Sequence, residues 1–135
     1  MALEVQVVSP ERILWSGDAE MVTARTIDGG DITFLTGHAP FVGALEIGKV
    51  IVRPIEGDDL VIAVHGGFVE VSNNLVSLLS DVAELRDQID VGRAQEAQRT
   101  AAEGLRAEPN DEELRAALRR AEVRLSTADA LTSAG

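Results

Sequence analysis

The 135-residue chain has no cysteine and no tyrosine, and aromatic residues make up only 3% of it. Without cysteine, disulfides and thiolate-bound metal sites are excluded. Apolar residues reach 45%, so the core must be built mainly from Val, Ile, Leu and Ala. A chain of this length is expected to form one domain, or one domain with a small appendage.

The chain also lacks long apolar runs and a basic majority. No apolar run approaches the roughly 18 residues that a membrane-spanning helix needs. No basic segment followed by an apolar one opens the chain, so we expect no secretory signal. The formal net charge is −11. A general nucleic-acid binder needs a basic face, so this class of protein is disfavoured.

The residue types that carry most enzyme chemistry are scarce. His38 and His65 are the only histidines, and neither has a companion at metal-ligand spacing. Lys49 is the only lysine, and the chain contains no phosphate-binding loop, G-x-S-x-G or H-E-x-x-H motif. We therefore expect structural or surface roles for both histidines and no catalytic site.

The first part of the chain, up to about Asp81, has the texture of β-structure. Leu3, Val5 and Val7 alternate with polar residues, the period-two pattern of a half-buried strand. Asn73-Asn74 tolerates positive φ and predicts a tight hairpin turn. Further strands are predicted at residues 12–15, 21–26, 32–35, 49–55, 60–64, 68–71 and 75–79. Many short strands with no helix between them predict an antiparallel sandwich or barrel.

From about Ile89, apolar residues recur at helical spacing in two stretches, which Gly104 and Pro109 interrupt. Asn110 is predicted to cap the second helix, with Glu113 as its capping-box partner. Two helices joined by a short loop form a helical hairpin. Its apolar stripes are dominated by alanine and bury little area, so we expect the hairpin to be weakly stable by itself.

Two glycine-containing segments stand out. In Gly37-His38-Ala39-Pro40-Phe41, glycine permits unusual dihedral angles and proline favours an extended residue before it, which predicts a turn between strands. In residues 66–71, two glycines precede an apolar strand and indicate a bulge or a close approach of two backbones. Taken alone, each segment is explained by a structural turn between strands.

Taken in order, these segments resemble the epsilon subunit of bacterial and chloroplast F-type ATP synthases. The matching segments are residues 8–12, 37–40, 66–71 and 81–84, followed by Ile89-Asp90 and Arg93-Ala94. The resemblance covers essentially the whole chain. It implies an N-terminal antiparallel β-sandwich of about ten strands, residues 1–86, and a C-terminal two-helix antiparallel hairpin, residues 87–135.

The resemblance implies a non-catalytic rotor subunit of the central stalk, which couples proton-driven rotation to ATP synthesis and inhibits ATP hydrolysis. The implied partners are the gamma subunit, the membrane c-ring and the alpha/beta catalytic head, at the cytoplasmic face of the cell membrane. No cofactor is required. The expected partner contact of the sandwich is the loop of Gly37, His38, Ala39, Pro40 and Phe41. The alternatives are a free-standing ligand-binding β-sandwich with a helical lid and a sandwich enzyme.

The resemblance gives the second helix an inhibitory role. Its basic residues, spaced i, i+4 in two pairs, would insert into the catalytic head and meet an acidic segment of the beta subunits. They are Arg115, Arg119, Arg120 and Arg124. The alternative is local pairing, in which Glu112, Glu113 and Glu122 neutralise these arginines within the hairpin.

Some bacterial members bind ATP through an I/L-D-x-x-R-A segment, which the resemblance places at Ile89 to Ala94 here. The implied site is Glu84, Ile89, Asp90, Arg93, Ala94, Arg120 and Arg124, with ATP as a regulatory ligand. The family's further arginine falls on Thr100, and Arg99 is rotated by about 100° around the helix. Two alternatives need no ligand: Asp90 caps the helix, and Arg93 pairs with Glu96 or Glu84.

Overall fold

A computed structural model describes residues 2–129. Met1 and residues 130–135, the end of the predicted hairpin segment 87–135, lie outside the described residues. The strands are β1 Leu3–Val8, β2 Ile13–Thr26, β3 Gly30–Leu35, β4 Phe41–Ala44, β5 Ile47–Pro54, β6 Leu60–His65, β7 Phe68–Ser72, β8 Leu75–Leu79 and β9 Ala83–Leu85. A single 3₁₀ turn, Arg86–Gln88, leads into helices α1 Val91–Ala107 and α2 Glu112–Ala128.

The strands fold into a β-sandwich whose two leaves share the long strand β2. The first leaf holds β4, β7, β8, β1 and the first half of β2, and the second leaf holds β3, the second half of β2, β5, β6 and β9. The pairing of β1 with β8 is parallel, and the other strand pairs are antiparallel. The predicted fold, a sandwich followed by a helical hairpin, is confirmed, with nine strands within the described residues.

The core between the leaves is aliphatic, as the composition predicts. Leu3, Val5 and Val7 are buried, and the residues between them face outward, so the period-two prediction for β1 is confirmed. Phe34 is the largest fully buried side chain of the described residues. It meets the half-buried Phe41 at the loop end of the core, with ring centroids 5.6 Å apart.

The strand predictions need two corrections. Residues 12–15 and 21–26 were predicted as separate strands, but β2 runs through both because Gly17 and Asp18 stay extended. A Cβ at Gly17 would lie 3.0 Å from the Trp15 ring, so this glycine makes room for an aromatic side chain within the strand. β4 and β9 were not predicted, because they are only four and three residues long.

The two paired turn signals have the expected geometry. Asn73 and Asn74 have φ of 51° and 62°, which confirms the predicted hairpin turn between β7 and β8. Gly67 has φ of 119°, and a Cβ there would lie 2.0 Å from the Leu79 carbonyl oxygen. The close backbone approach predicted for the paired glycines is therefore confirmed.

The helices begin at aspartate caps. The Asp90 carboxylate accepts a hydrogen bond from the Arg93 backbone N–H, as the capping alternative predicts. At the second helix the prediction of Asn110 is wrong: Asp111 is the N-cap and accepts from the Leu114 backbone N–H. Gly104 does not interrupt α1 but lies within it, where the missing Cβ leaves room for the Leu114 side chain of α2.

The hairpin lies on the second leaf, with α2 packed against β5 and β6. A small apolar cluster holds it there, made of Ala63, Ile89 and Val123 with Ile47 and Ala128 at its border. Polar ties surround the cluster: Lys49 Nζ donates to Ser126 Oγ at 2.8 Å, and Arg86 Nε donates to the Ala128 carbonyl at 2.8 Å. The interface therefore combines a small apolar area with individual hydrogen bonds.

Candidate functional site

A cleft of about 270 Å³ opens where the 3₁₀ turn, the start of α1 and the end of α2 meet. Its lining residues are Glu84, Gln88, Asp90, Arg93, Ala94, Ala97 and Arg124. Five of the seven residues predicted to bind ATP therefore share one cleft: Glu84, Asp90, Arg93, Ala94 and Arg124. Gln88 and Ala97 were not predicted, although Ala97 lies one helical turn beyond Arg93 on α1.

Glu84 is the charged centre of the cleft. Its Oε1 accepts hydrogen bonds from Arg124 Nε at 2.7 Å and from His65 Nε2 at 3.1 Å. Burial alone would raise the pKa of Glu84, but these two hydrogen bonds and the nearby positive charge bring the pKa below its ordinary value. Glu84 therefore stays ionised and ties α2 to the sandwich.

Arg93 contributes a free cation to the cleft. Within residues 2–129, its guanidinium forms no ion pair or side-chain hydrogen bond. The alternative pairings are not formed: Glu84 binds Arg124 and His65, and Glu96 pairs with Arg99. Arg99 is engaged in this exposed pair and does not line the cleft. It therefore does not take the place of the family's further arginine, which falls on Thr100 here.

Two predicted ATP-binding residues lie outside the cleft. Ile89 is buried in the apolar cluster between hairpin and sandwich. Arg120 Nη2 pairs with Glu113 Oε1 at 3.1 Å, two turns earlier on α2. In this folded form of the hairpin, Ile89 positions the start of α1, and Arg120 is engaged locally.

The four arginines predicted to inhibit hydrolysis are all engaged within the folded chain. Arg115 donates to the Pro109 carbonyl, Arg119 to the Ile47 carbonyl, Arg120 to Glu113, and Arg124 to Glu84. Of the three glutamates considered as local partners, Glu113 alone takes this role within the described residues. Arg119 and Arg124 instead hold α2 on the sandwich.

The predicted partner loop, residues 37–41, forms a small ordered platform at one end of the first leaf. The Gly37 backbone N–H donates to Asn74 Oδ1 at 2.7 Å, with φ of 87° at the glycine. The His38 ring stacks edge-on against Phe34, with centroids 4.9 Å apart, and its Nδ1 lies 2.7 Å from the Ala39 carbonyl. Pro40 directly precedes β4, and most of the loop is exposed.

The outer face of the first leaf carries a feature that the sequence reading missed. Aligned positions on five neighbouring strands form one apolar row: Ala44, Phe68, Leu79, Val8 and Ile13. Ile13 is 59%, Phe68 58% and Leu79 44% exposed. In the sequence, the available signal was an apolar residue at an outward-facing position of each strand, next to residues predicted to be buried. The row could not be predicted from that signal, because it depends on the register between strands that are distant in sequence.

The fold and the cleft define a class of protein: a β-sandwich with a helical hairpin docked on one leaf. No helix in residues 2–129 is both long and apolar enough to cross a membrane. The model of the ATP synthase delta/epsilon chain β-sandwich domain matches residues 2–86. The chain belongs to the ATP synthase epsilon chain family.

Close relatives support this membership. An ATP synthase epsilon chain of Streptomyces griseus is 45% identical over 123 residues, covering 91% of this chain and 92% of the relative. The epsilon chain of Streptomyces avermitilis is 48% identical over 76% of this chain and 82% of the relative. The epsilon chain of Bacillus pumilus is 40% identical over 93% of this chain and 96% of the relative. As a member of this family, the chain is a non-catalytic subunit of the ATP synthase.

Two solved structures share the fold. A chain in the cryo-EM structure of the Euglena gracilis mitochondrial ATP synthase, OSCP/F1/c-ring in rotational state 1, has a TM-score of 0.70 at 21% identity, covering 98% of this chain and 81% of that chain. A chain in the central stalk/c-ring structure from Tetrahymena thermophila has a TM-score of 0.54 at 18% identity, covering 66% of this chain and 70% of that chain. At these identities the likeness concerns the fold.

Proposed function

We propose that this protein is a central-stalk subunit of the ATP synthase, in which the sandwich docks and the hairpin regulates. Its partners are the gamma subunit, the c-ring and the alpha/beta head, at the cytoplasmic face of the membrane that holds the complex. The observation that carries the proposal is the difference between the two leaves. The first leaf exposes an apolar row, and the second leaf is covered by helices that are held by few contacts.

The sandwich, residues 1–86, is the docking unit. A contiguous exposed apolar patch usually marks a protein-interaction site, and the apolar row lies on the leaf that the hairpin leaves uncovered. We assign the gamma subunit to this row. The loop of residues 37–41 lies at the other end of the same leaf, beside the Asn73-Asn74 turn, and provides a second contact with the stalk or the c-ring.

Binding to gamma tests the docking unit. A chain ending at Arg86 should bind gamma as tightly as the full chain. Phe68→Ser should weaken binding by about tenfold, because roughly half of a large side chain would lose its apolar environment. Ile55→Ser is the matched control, since Ile55 is 49% exposed but directly follows β5 of the second leaf. Failure of the shortened chain to bind, or equal effects of the two substitutions, would contradict the assignment.

The hairpin, residues 87–135, is the regulatory unit. Its arginines are hydrogen-bonded to the sandwich or within the hairpin while it is docked. In this form we expect them to be engaged less by the catalytic head than after release. Released, α2 presents four cations within three turns to an acidic surface. Each exposed pair contributes only about 0–1 kcal/mol, so the four must act together.

Hydrolysis by the assembled complex tests the regulatory unit. The complex should hydrolyse ATP faster when residues 88–135 are removed. Glutamine at positions 115, 119, 120 and 124 together should give the same increase, whereas Arg99→Gln with Arg106→Gln on α1 should not. Equal rates with and without residues 88–135, across moderate salt, would refute inhibition by the hairpin.

We further propose that ATP binds the cleft as a regulatory ligand and favours the docked hairpin. Support comes from the unpaired Arg93 guanidinium and from Arg124, which lie on facing helices and converge on one cleft. Arginine forks suit phosphate oxygens. The cleft is somewhat smaller than the roughly 300 Å³ of common ligand pockets. A nucleotide must therefore displace Arg124 from Glu84, or part of the nucleotide must lie outside the cleft.

Titrating the isolated protein with ATP, followed by amide chemical shifts, tests this site. Saturable shifts are expected at the cleft residues by several millimolar ATP, and Arg93→Gln should weaken them. Arg99→Gln is the matched control, because Arg99 is an exposed α1 arginine outside the cleft. Without saturable shifts at Glu84, Asp90, Arg93 or Arg124, the segment is only a helix cap.

A further inference from the structure

A histidine of the sandwich is buried beneath the hairpin at the point where the two parts are tied. The His65 side chain, at the end of β6, is only 3% exposed. Its Nε2 donates to Glu84 Oε1 on β9 at 3.1 Å, and the same oxygen accepts from Arg124 of α2 at 2.7 Å. The three side chains therefore form one chain of hydrogen bonds from the sandwich to the hairpin.

The surroundings of His65 are built for a neutral imidazole. With Nε2 donating to Glu84, Nδ1 is the unprotonated nitrogen, and it is buried without a partner in the described part of the chain. A second proton on Nδ1 would therefore find no acceptor among residues 2–129. The charged groups facing the ring are Glu84 from β9, and Arg120 and Arg124 from α2. Across the sheet on β5, the residue opposite is the uncharged Ile47.

We propose that His65 is a proton-operated latch, which holds the hairpin on the sandwich while its imidazole is neutral and releases the hairpin when it is protonated. Protonation places a positive charge on His65 next to Arg120 and Arg124 of α2. Because both arginines move away with the helix, release removes this repulsion. Glu84 stays on β9 after release and can then neutralise the imidazolium. The latch is a property of this chain alone and does not depend on nucleotide binding or on a partner.

The direction of the pH effect follows from the two states. In the docked state, burial lowers the pKa of His65, the hydrogen bond to Glu84 raises it in part, and Arg124 and Arg120 lower it again, with a net downward direction. In the released state, burial and both arginines are removed, so the pKa returns to at least its ordinary value of about 6.5. The released state thus binds the proton more tightly.

The contribution of His65 to docking is therefore fully present above about pH 6.5. It is lost as the pH falls below that value toward the lower pKa of His65 in the docked state. The equilibrium shifts by up to tenfold toward release for each pH unit in this window. Glu84 acts in the same direction, because its pKa is also lowered in the docked state, but its ordinary value of 4.5 places that effect at more acidic pH. The two groups can therefore be separated by the pH at which release occurs.

The experiment is a distance measurement on the full chain, which has no native cysteine. Asp58→Cys on the sandwich and Glu103→Cys on α1 carry a fluorophore pair, and energy transfer is followed from about pH 8 to about pH 5. Transfer should fall below about pH 6.5 in the otherwise unchanged chain. His65→Gln retains an N–H donor for Glu84 but cannot be protonated, so transfer should stay high over the same range. His38→Gln removes the other histidine and should behave like the unchanged chain.

Two results would overturn the latch. One is constant transfer in the unchanged chain down to about pH 5. The other is the same loss of transfer with His65→Gln as without it. If His65→Gln does not fold, NMR of the unchanged chain still decides: the His65 ring shifts and the exchange protection of α2 amides should titrate with one midpoint. Separate midpoints would refute the coupling.

Discussion

Gly67→Ala places a Cβ 2.0 Å from the Leu79 carbonyl oxygen and 2.9 Å from Ser80 Cα. Both contacted atoms belong to the backbone, so no rotamer change relieves the overlap, and β7 must move away from the end of β8. Gly66 is a matched control, with φ of 93° and no atom within 4 Å of its missing Cβ. Gly66→Ala then incurs only the unfavourable dihedral, about 1–2 kcal/mol.

We expect Gly67→Ala to lose more than about 4 kcal/mol of unfolding free energy, a large share of the roughly 5–15 kcal/mol of a typical domain. The assay is urea unfolding followed by circular dichroism. Gly66→Ala should lower the midpoint by about 1 M with an unchanged slope, and Gly67→Ala should lower the midpoint by at least about 2 M. Equal losses from the two substitutions would show that the backbone approach at Gly67 is not what requires glycine.

Asp111→Ala should destabilise α2 by about 1 kcal/mol, because the helix loses its N-cap, and Asn110→Ala should be nearly neutral. Thermal unfolding followed by circular dichroism at a helix wavelength compares the two variants. A larger loss of stability with Asn110→Ala would place the cap at Asn110. Arg124→Met should weaken hairpin docking by about 1–3 kcal/mol, because the half-buried Glu84 loses its charged donor. Faster hydrogen exchange of the α2 amides measures this loss, and Arg99→Met is the exposed control. Equal exchange rates in the two variants would show that the hydrogen bond between Arg124 and Glu84 contributes nothing to docking.

Local patterns predicted those parts of the fold that local physics determines. The alternation in β1 and the positive φ at Asn73-Asn74 both depend on residues that are close in sequence. The length of β2 and the presence of β4 and β9 depend on partners elsewhere in the sheet. β9 in particular is three residues long and exists through its pairing with β6.

The same division applies to the cleft. The order Ile89-Asp90, Arg93-Ala94 was visible in the sequence, and three of its four residues line the cleft. The capping role of Asp90 was also predictable, because it is local. The partnership of His65 with Glu84 was not, since it requires β9 to lie beside β6. In the sequence alone, His65 is therefore a histidine without an identifiable partner.

The parallel pairing of β1 with β8 determines the order in which the protein can be completed during synthesis. β1 lies between β2 and β8, and its residues 4–8 pair with residues 75–79. While the ribosome is still making the intervening strands, one side of β1 keeps unpaired N–H and C=O groups. Such an open edge is a template for pairing with other chains. A nascent chain that has not yet reached Leu79 therefore keeps this edge of β1 open, and the edge closes only when β8 has been made.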